Sequence, residues 1–343
     1  MPGVALLGTG TVGSAFVHRY QRLRERGVAM PRLAWLANSR TVHACNHDPA
    51  AVLAEAGRAS RGPASPSSWQ SQVELLAGDV LVDATASDEL GAQHAHWLAR
   101  GVHVVTANKL GRGARLPRAQ AITRAGIEGG GRYGDSATVG AGLPVLASVR
   151  ALVAGGDRIH AIEGVLSGSL AWLLGRHDGS VPFSECVRTA RAAGYTEPDP
   201  RADLSGEDVR RKLLILARAA GMALEQDHVQ VESLVPPALA RVPVEDLDAA
   251  LDQLDEPMLQ RLQQARAVGA RLCFVARLDQ AGASVGLRAL PPGHPLAAGE
   301  GTDNRVAIHS DRYAERPLLI QGPGAGAEVT AAALLDEVLR LLR

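Results

Sequence analysis

This sequence of 343 residues predicts an α/β protein in two parts, a parallel-sheet unit followed by an α+β unit. Three observations carry that prediction. A short apolar run, Val4–Leu7, leads straight into Gly8-x-Gly10-x-x-Gly13 and then into helical spacing, with Ala15, Phe16, Tyr20 and Leu23 along one side. Short apolar runs then alternate with helical stretches up to about residue 134. Beyond that point strands are expected near "RIHAIEGVL", "RLCFVARL" and "SVGLRAL", interspersed with helices.

In the first part, Gly8 permits a tight turn, Gly10 lets a pyrophosphate approach the backbone and Gly13 lets the helix pack on the strand. Thr11 and Val12 lie at the helix start, where free N–H groups and the positive dipole end face phosphates. "PRLAWLANS" reads as the second strand, "DVLVDATAS" as the third and "GVHVVTANK" as the fourth, with "DELGAQHAHWLARG" a helix between the last two. Strand, glycine turn and helix in this order predict a Rossmann-type nucleotide-binding domain over residues 1–134. The clearest loop is 57–71, rich in Ser, Pro and Gly. The second strand ends at Asn38-Ser39-Arg40, with no acidic residue to hold a ribose 2′-hydroxyl. A hydroxyl and an arginine suit a 2′-phosphate, so NADP(H) is expected over NAD(H).

Composition narrows the class. Hydrophobic content of 46% and a formal net charge of +0 describe an ordinary globular chain, with no electrostatic attraction to nucleic acid or to a membrane surface. No apolar run reaches the ~18–20 residues that span a bilayer. The opening "MPGVALLGTG" lacks the basic region of a signal peptide. Cys45, Cys186 and Cys273 are odd in number and widely spaced, which fits a reducing cytoplasm. His94 and His96, two apart, do not share a helix face and make no metal pair.

Cation usage is more telling. Of 36 Lys plus Arg, only Lys109 and Lys212 are lysines. Arginine supplies charge but does not release its proton in a protein, whereas a desolvated lysine amine can. Lys212 lies in "GYTEPDPRADLSGEDVRRKLLILARAAG", 194–221. Ser205 is the expected N-cap of a helix running to Gly221, with Asp208 in the place of a capping-box acid. Val209, Leu213, Leu214, Leu216 and Ala217 form its buried stripe. Asp208 and Lys212 are i, i+4 and share a face, and Glu197, Asp199 and Asp203 lie just upstream. A lysine among carboxylates that loses solvent when a ligand covers it can move a proton at a hydroxyl or carbonyl oxygen.

This segment resembles the signature of the homoserine dehydrogenases. So do "VVTANK" (104–109), "ATVGAGLPV" (137–145), "EGVLSGSLAWLL" (163–174) and "QGPGAGAEVTAA" (321–332), and with the glycine turn they cover residues 4–335 in the family's order. The resemblance is nearest to the dehydrogenase portion of bifunctional aspartate kinase–homoserine dehydrogenases. Because the first strand begins at residue 3 and the chain stops one helix past "GPGAG", neither a kinase portion nor a C-terminal regulatory domain is expected.

The resemblance implies NAD(P)(H)-dependent interconversion of L-homoserine and L-aspartate 4-semialdehyde, on the branch from aspartate to threonine, isoleucine and methionine. It implies catalytic roles for Lys212 and Lys109, without deciding which moves the proton. It implies substrate contacts at Glu197, Asp208 and Asp203, and cofactor contacts at Thr85, Ala107, Lys109 and Gly326 beside Gly8, Gly10, Thr11, Val12, Gly13 and Arg40. It also implies a homodimer or homotetramer, paired through the sheet of the middle domain. A Na⁺ or K⁺ site held by the carbonyls of Val139, Ala141 and Leu143 is a further implication. The family's glutamate ligand is replaced here by Ser136, a poorer ligand for a hard cation. The expected organisation is a nucleotide-binding domain at 1–134, a substrate and dimerisation domain at 135–316, and a segment at 317–343 returning to the first domain, with apolar Val329, Ala332, Ala333, Leu335 and Leu339 on its helix. The alternatives are a related NADP-linked oxidoreductase with another small substrate, and a non-catalytic NADP-binding regulator. Both lysines beside Glu197 and Asp208 weigh against the regulator.

Overall fold

The structure is a computed structural model that describes residues 2–58 and 74–342. The part of the expected loop at 59–71 lies outside the described residues, and Gly57 and Arg58 end a helix. The chain forms two units, one built from residues up to Gly142 together with Ala325 onward, the other from Leu143–Gly324.

The first unit holds a six-stranded sheet of β1 (Gly3–Leu7), β2 (Arg32–Ala37), β3 (Val42–Ala44), β4 (Val80–Asp83), β5 (His103–Thr106) and β6 (Tyr133–Gly134), in the order β3-β2-β1-β4-β5-β6. All pairs are parallel except β2–β3. Among the described residues its helices are α1 (Thr11–Glu25), α2 (Pro49–Arg58), α3 (Asp88–Ala99), α4 (Leu116–Gly129) and the C-terminal helix Ala327–Leu341. Both faces of the sheet are covered, which is why its strands read as continuous apolar runs. Leu6, Leu36, Val82 and Val105 pack with Phe16 of α1 and Leu334 and Val338 of the C-terminal helix. Their neighbours Leu7, Leu81 and Val104 turn to the other face with Trp97, Leu98 and Ile122.

The second unit carries a mostly antiparallel sheet of β7 (Ile159–Val165), β8 (Val229–Val231), β9 (Arg271–Asp279), β10 (Gly282–Leu290), β11 (Asp303–Ser310) and β12 (Leu318–Pro323), in the order β12-β11-β7-β9-β10-β8. Its longer helices are α5 (Val145–Ala154), α6 (Gly168–Arg176), α7 (Phe183–Ala192), α8 (Glu207–Ala219) and α9 (Asp255–Ala267). Among the described residues no helix is long and apolar enough to cross a membrane.

Three features differ from the sequence expectation. The unit boundaries fall after 142 and 324 rather than after 134 and 316. Residues 318–323 pair with β11, with Val306 opposite Ile320, and so belong to the second sheet, whereas the turn 136–138 packs with the C-terminal helix. That helix buries Ala331, Leu334, Leu335, Val338 and Leu341, so its face is turned away from the expected Val329, Ala332 and Leu339, which are only partly buried. Finally, Ser205 is not the N-cap of α8. It closes a short helical turn, Arg201–Leu204, and Gly206, in the left-handed region at φ 76°, is the N-cap.

A buried histidine makes stability depend on pH. His177, at the C-cap of α6, is 4% exposed and lies edge-on to Phe183. The Met258 backbone is the polar group facing the ring. Burial pushes its pKa below the usual 6.5, against the pull of the Met258 backbone and of Asp178. The folded state therefore holds the neutral ring while the unfolded chain binds a proton. The resulting stability is complete above pH 6.5 and is lost as pH falls from there through the lowered value. The Tm should fall between about pH 7.5 and about pH 5.5, and His177→Leu should shrink that fall. An unchanged slope in the variant would assign the acid sensitivity elsewhere.

Candidate active site

Chemistry-bearing residues collect in each unit. In the first, α1 starts directly after β1, with Gly10 as N-cap, no side-chain cap and no acidic residue in the first turn. Its first N–H groups are therefore left for an anion. The turn is too tight for side chains at two points. A Cβ on Gly13 would lie 1.8 Å from the Gly8 carbonyl oxygen, and one on Gly8 would lie 2.9 Å from that of Ala84, whereas nothing lies within 4 Å of the Cβ position at Gly10. The cleft above this turn, about 560 Å³, is lined by Gly8, Thr9, Gly10, Asn38, Arg40 and Thr85 among others. It opens beside β1, which pairs with β2 on one side and β4 on the other, the place where strand order reverses and such sheets bind ligands. A dinucleotide fits this cradle, because the two glycines that a Cβ would block leave the third open to it.

Asn38 shapes the far end of the cleft. Its Nδ2 donates to Thr9 Oγ1 at 3.0 Å, and its Oδ1 accepts the N–H groups of Arg40 at 2.8 Å and Thr41 at 3.0 Å. Thr85 lies at the β4 end, and its N–H and hydroxyl both donate to Asp83 Oδ1. Ala107 is half-buried, and its N–H donates to the Asp83 carbonyl. Lys109 is half-buried on the loop after β5. Gly326, at φ 115°, is the exposed N-cap of the C-terminal helix.

In the second unit Lys212 projects from α8 and is 8% exposed. Its Nζ lies 2.8 Å from Asp208 Oδ2 and donates to the Leu166 carbonyl at 2.7 Å. An ammonium has three N–H donors, so one remains for a ligand. Leu166 follows β7, and Ser167 caps α6 by accepting the Leu170 N–H. Ser167 and Ser169 hydroxyls lie 2.9 Å apart, and Ser169 donates to Asp203 Oδ1 at 2.7 Å. The other oxygen of Asp203 accepts the Glu197 N–H at 2.9 Å. A continuous chain of hydrogen bonds and short backbone steps thus runs from Lys212 to the loop of Glu197. Tyr195 stacks on Trp172 of α6 at 4.9 Å and anchors the same loop.

These contacts sort the four carboxylates expected near this helix. Each oxygen of Asp203 accepts one hydrogen bond within the protein, which ties the Glu197 loop to the α6 turn. Asp199 is spent on Arg201, which holds its carboxyl below the usual carboxylate range. The Glu197 side chain is exposed, and Asp208 is 43% exposed while paired to Lys212. Glu197 and Asp208 are thus the two of these acids whose side chains reach solvent.

At the cation position, Ser136 begins a 3-10 turn and Leu143 O accepts the Val145 N–H at 2.8 Å. Among the described residues no group of three His, Cys, Asp or Glu is placed to hold a metal. Asp135, beside Ser136, is fully buried with Arg112 Nε 3.8 Å away. The three cysteines are buried, and burial pushes the Cys45 thiol up to about 11.

Sequence reasoning did not find the set made by buried Asp83, His94 and Asn108 with half-buried Tyr133, whose members meet only in three dimensions. His94 Nε2 lies 3.0 Å from Asp83 Oδ2 and its Nδ1 2.9 Å from the Tyr133 hydroxyl.

Comparison with known proteins adds to this geometry. A family model described as homoserine dehydrogenase matches residues 144–339, and one described as the NAD-binding domain of homoserine dehydrogenase matches residues 8–116. The chain is 46% identical over 263 residues to bifunctional aspartokinase/homoserine dehydrogenase 2 of Escherichia coli K12, a match covering 76% of this chain and 32% of that protein. It thus spans about a third of the length of such bifunctional relatives. A homoserine dehydrogenase of Emericella nidulans is 33% identical, over 99% of this chain and 98% of that one. In structure, a Candida auris protein of unknown function aligns with a TM-score of 0.86 at 32% identity, over 99% of this chain and 98% of that chain.

Proposed function

This chain belongs to the homoserine dehydrogenase family, and from that premise we propose that it interconverts L-homoserine and L-aspartate 4-semialdehyde with a nicotinamide cofactor, NADP(H) in preference to NAD(H). The observation that carries the proposal is Lys212. It is the one lysine of the second unit, buried, and held by Asp208 and a backbone carbonyl with one N–H to spare.

The bound nicotinamide supplies the hydride for reduction and accepts it in oxidation. The protein's own part begins with binding. Glu197 and Asp208 offer carboxylates to the ammonium of the amino acid, and the N–H groups at the start of α6 offer donors to its carboxylate. Lys212 gives a proton to the C4 oxygen as the aldehyde is reduced and removes it as the alcohol is oxidised. Asp208 and the Leu166 carbonyl fix the direction of that proton. Lys109, on the first unit, contributes positive charge on the cofactor side. Asp203 holds Glu197 and Ser169 in place.

The preference for NADP(H) rests on residues 38–40. The Asn38 side chain is committed to turning its own loop, and no carboxylate is present there to grip a 2′-hydroxyl or repel a 2′-phosphate. Arg40 supplies the positive charge. Losing a hydrogen bond to a charged group costs roughly 1.5–3 kcal/mol. Arg40→Ala should therefore raise the KM for NADPH by ~10-fold or more while leaving that for NADH nearly unchanged. Equal effects on both cofactors would remove Arg40 from this role.

The reading extends to the aspartate-derived branch leading to threonine, isoleucine and methionine, to the cytoplasm, and to a homodimer or homotetramer paired through the second unit's sheet. Size-exclusion chromatography with light scattering tests the last point. A monovalent cation enters the reading only through the carbonyls of Val139, Ala141 and Leu143, and activity in sodium, potassium and choline salts tests it. The reaction itself is tested by NADPH oxidation on addition of L-aspartate 4-semialdehyde.

A further inference from the structure

Behind the Lys109 loop lies a buried polar chain that the reaction as described does not use. Asp83, at the end of β4, is fully buried. Its Oδ1 accepts from Thr85 N and Oγ1, and its Oδ2 accepts from Asn108 Nδ2 at 2.9 Å and faces His94 Nε2 at 3.0 Å. A carboxylate out of water needs such a donor shell. His94 is 1% exposed, and its Nδ1 meets the Tyr133 hydroxyl. With Nε2–H donating to Asp83 and Nδ1 accepting from Tyr133, both nitrogens of the neutral ring are satisfied.

The chain ends on the lysine loop. The Asn108 side chain donates to Asp83 and to the Ser87 carbonyl, and its Oδ1 accepts the Leu110 N–H at 3.0 Å. The Asn108 N–H is itself held by Thr106 Oγ1 at 2.8 Å. The side chains of Thr106 and Asn108 therefore pin the backbone on the two sides of Lys109. The loop then passes directly over the histidine: a Cβ on Gly111 would lie 2.3 Å from the Tyr133 hydroxyl and 2.9 Å from His94 Nδ1. Arg112 follows, 5.0 Å from the centre of the Tyr133 ring. Through Asp83, the same histidine also supports Thr85 in the cofactor cleft.

We propose that His94 is a positioning residue for the reaction, fixing the place of Lys109 through Asp83 and Asn108. This rests on the functional reading above, in which Lys109 serves the cofactor side. Displacing a reacting group by about 1 Å can cost on the order of 100-fold in rate. Removing the Nε2 donor leaves Asp83 one donor short and frees Asn108 to turn toward the acid differently.

The test uses the full chain and compares wild type, His94→Phe, His94→Gln and Asn108→Ala. It measures kcat and KM with L-aspartate 4-semialdehyde, NADPH affinity by fluorescence and Tm. His94→Phe should lower kcat ~10–100-fold while NADPH affinity stays within ~3-fold. His94→Gln should restore most of the rate, because its amide N–H can donate to Asp83. Wild-type kcat in folded His94→Phe overturns the proposal, as does equal impairment in the Phe and Gln variants, or a loss confined to NADPH affinity. Should His94→Phe fail to fold, Asn108→Ala cuts the chain one link nearer Lys109; the same fall in kcat supports the proposal and an unchanged kcat overturns it. A wild type without turnover defeats the functional reading itself, a result distinct from any of these.

Discussion

Lys212→Arg should bind NADPH as the wild type does and turn over L-aspartate 4-semialdehyde at least ~100-fold more slowly, since general acid–base assistance is typically ~10²–10⁴-fold. Charge is kept in this variant and the proton is not: a guanidinium does not exchange its proton near neutral pH. Geometry changes as well. The lysine ammonium reaches both Asp208 and the Leu166 carbonyl at under 3 Å from a nearly buried position, and the larger planar fork cannot repeat that pair of contacts in the same space. Lys212→Met, which removes the charge, separates the two effects. If the arginine variant is far more active than the methionine variant, charge dominates. If both collapse together, proton transfer does. A loss below ~10-fold in Lys212→Arg would move the proton to Lys109.

Gly13→Ala should abolish measurable NADPH binding and lower Tm by several degrees. The added carbon would stand 1.8 Å from the Gly8 carbonyl oxygen and 2.8 Å from its carbon, and both are backbone atoms of the glycine turn. Neither can swing aside as a side chain tip can, so α1 must lift from β1. Overpacking of this kind costs about 1–3 kcal/mol or more. The phosphate cradle is made of those same backbone atoms, so binding falls with packing. Gly10→Ala is the matched control. Nothing lies within 4 Å of its added carbon, so Tm should hold, while affinity falls because that carbon points into the space a pyrophosphate needs. Wild-type affinity and Tm in Gly13→Ala would contradict the cradle described here.

The first unit was the more legible because its signals are local. Gly8, Gly10 and Gly13 follow a strand and open a helix within a dozen residues, and fully buried strands such as Val80–Asp83 announce themselves as unbroken apolar runs. Lys212 was legible from scarcity and from its i, i+4 partner, and the structure supplies that pair at 2.8 Å. Other features depend on partners far along the chain. The sequence of β12 runs straight into "GPGAG", which ties it by pattern to the returning segment. Its partner β11 carries buried Asn304 and Arg305, which broke the apolar pattern that would have marked both strands. Ser205 has the chemistry of a cap, but the left-handed Gly206 takes the cap position; the serine hydroxyl donates to the Ala202 carbonyl and accepts the Glu207 N–H at 3.3 Å. The contact of Asp203 with Ser169 is not local either, since the two lie 34 residues apart. His94 was dismissed as a metal ligand on sound helical spacing. Nothing local to it foretells Tyr133, 39 residues on.

The central claim is that this chain reduces L-aspartate 4-semialdehyde through a proton from Lys212. It is tested most directly by following NADPH and NADH consumption with that aldehyde in wild type and Lys212→Arg side by side, with product identified as L-homoserine. The wild type should turn over steadily, faster with NADPH, and the variant should collapse with NADPH binding intact. A wild type that binds NADPH and leaves the aldehyde untouched would contradict it.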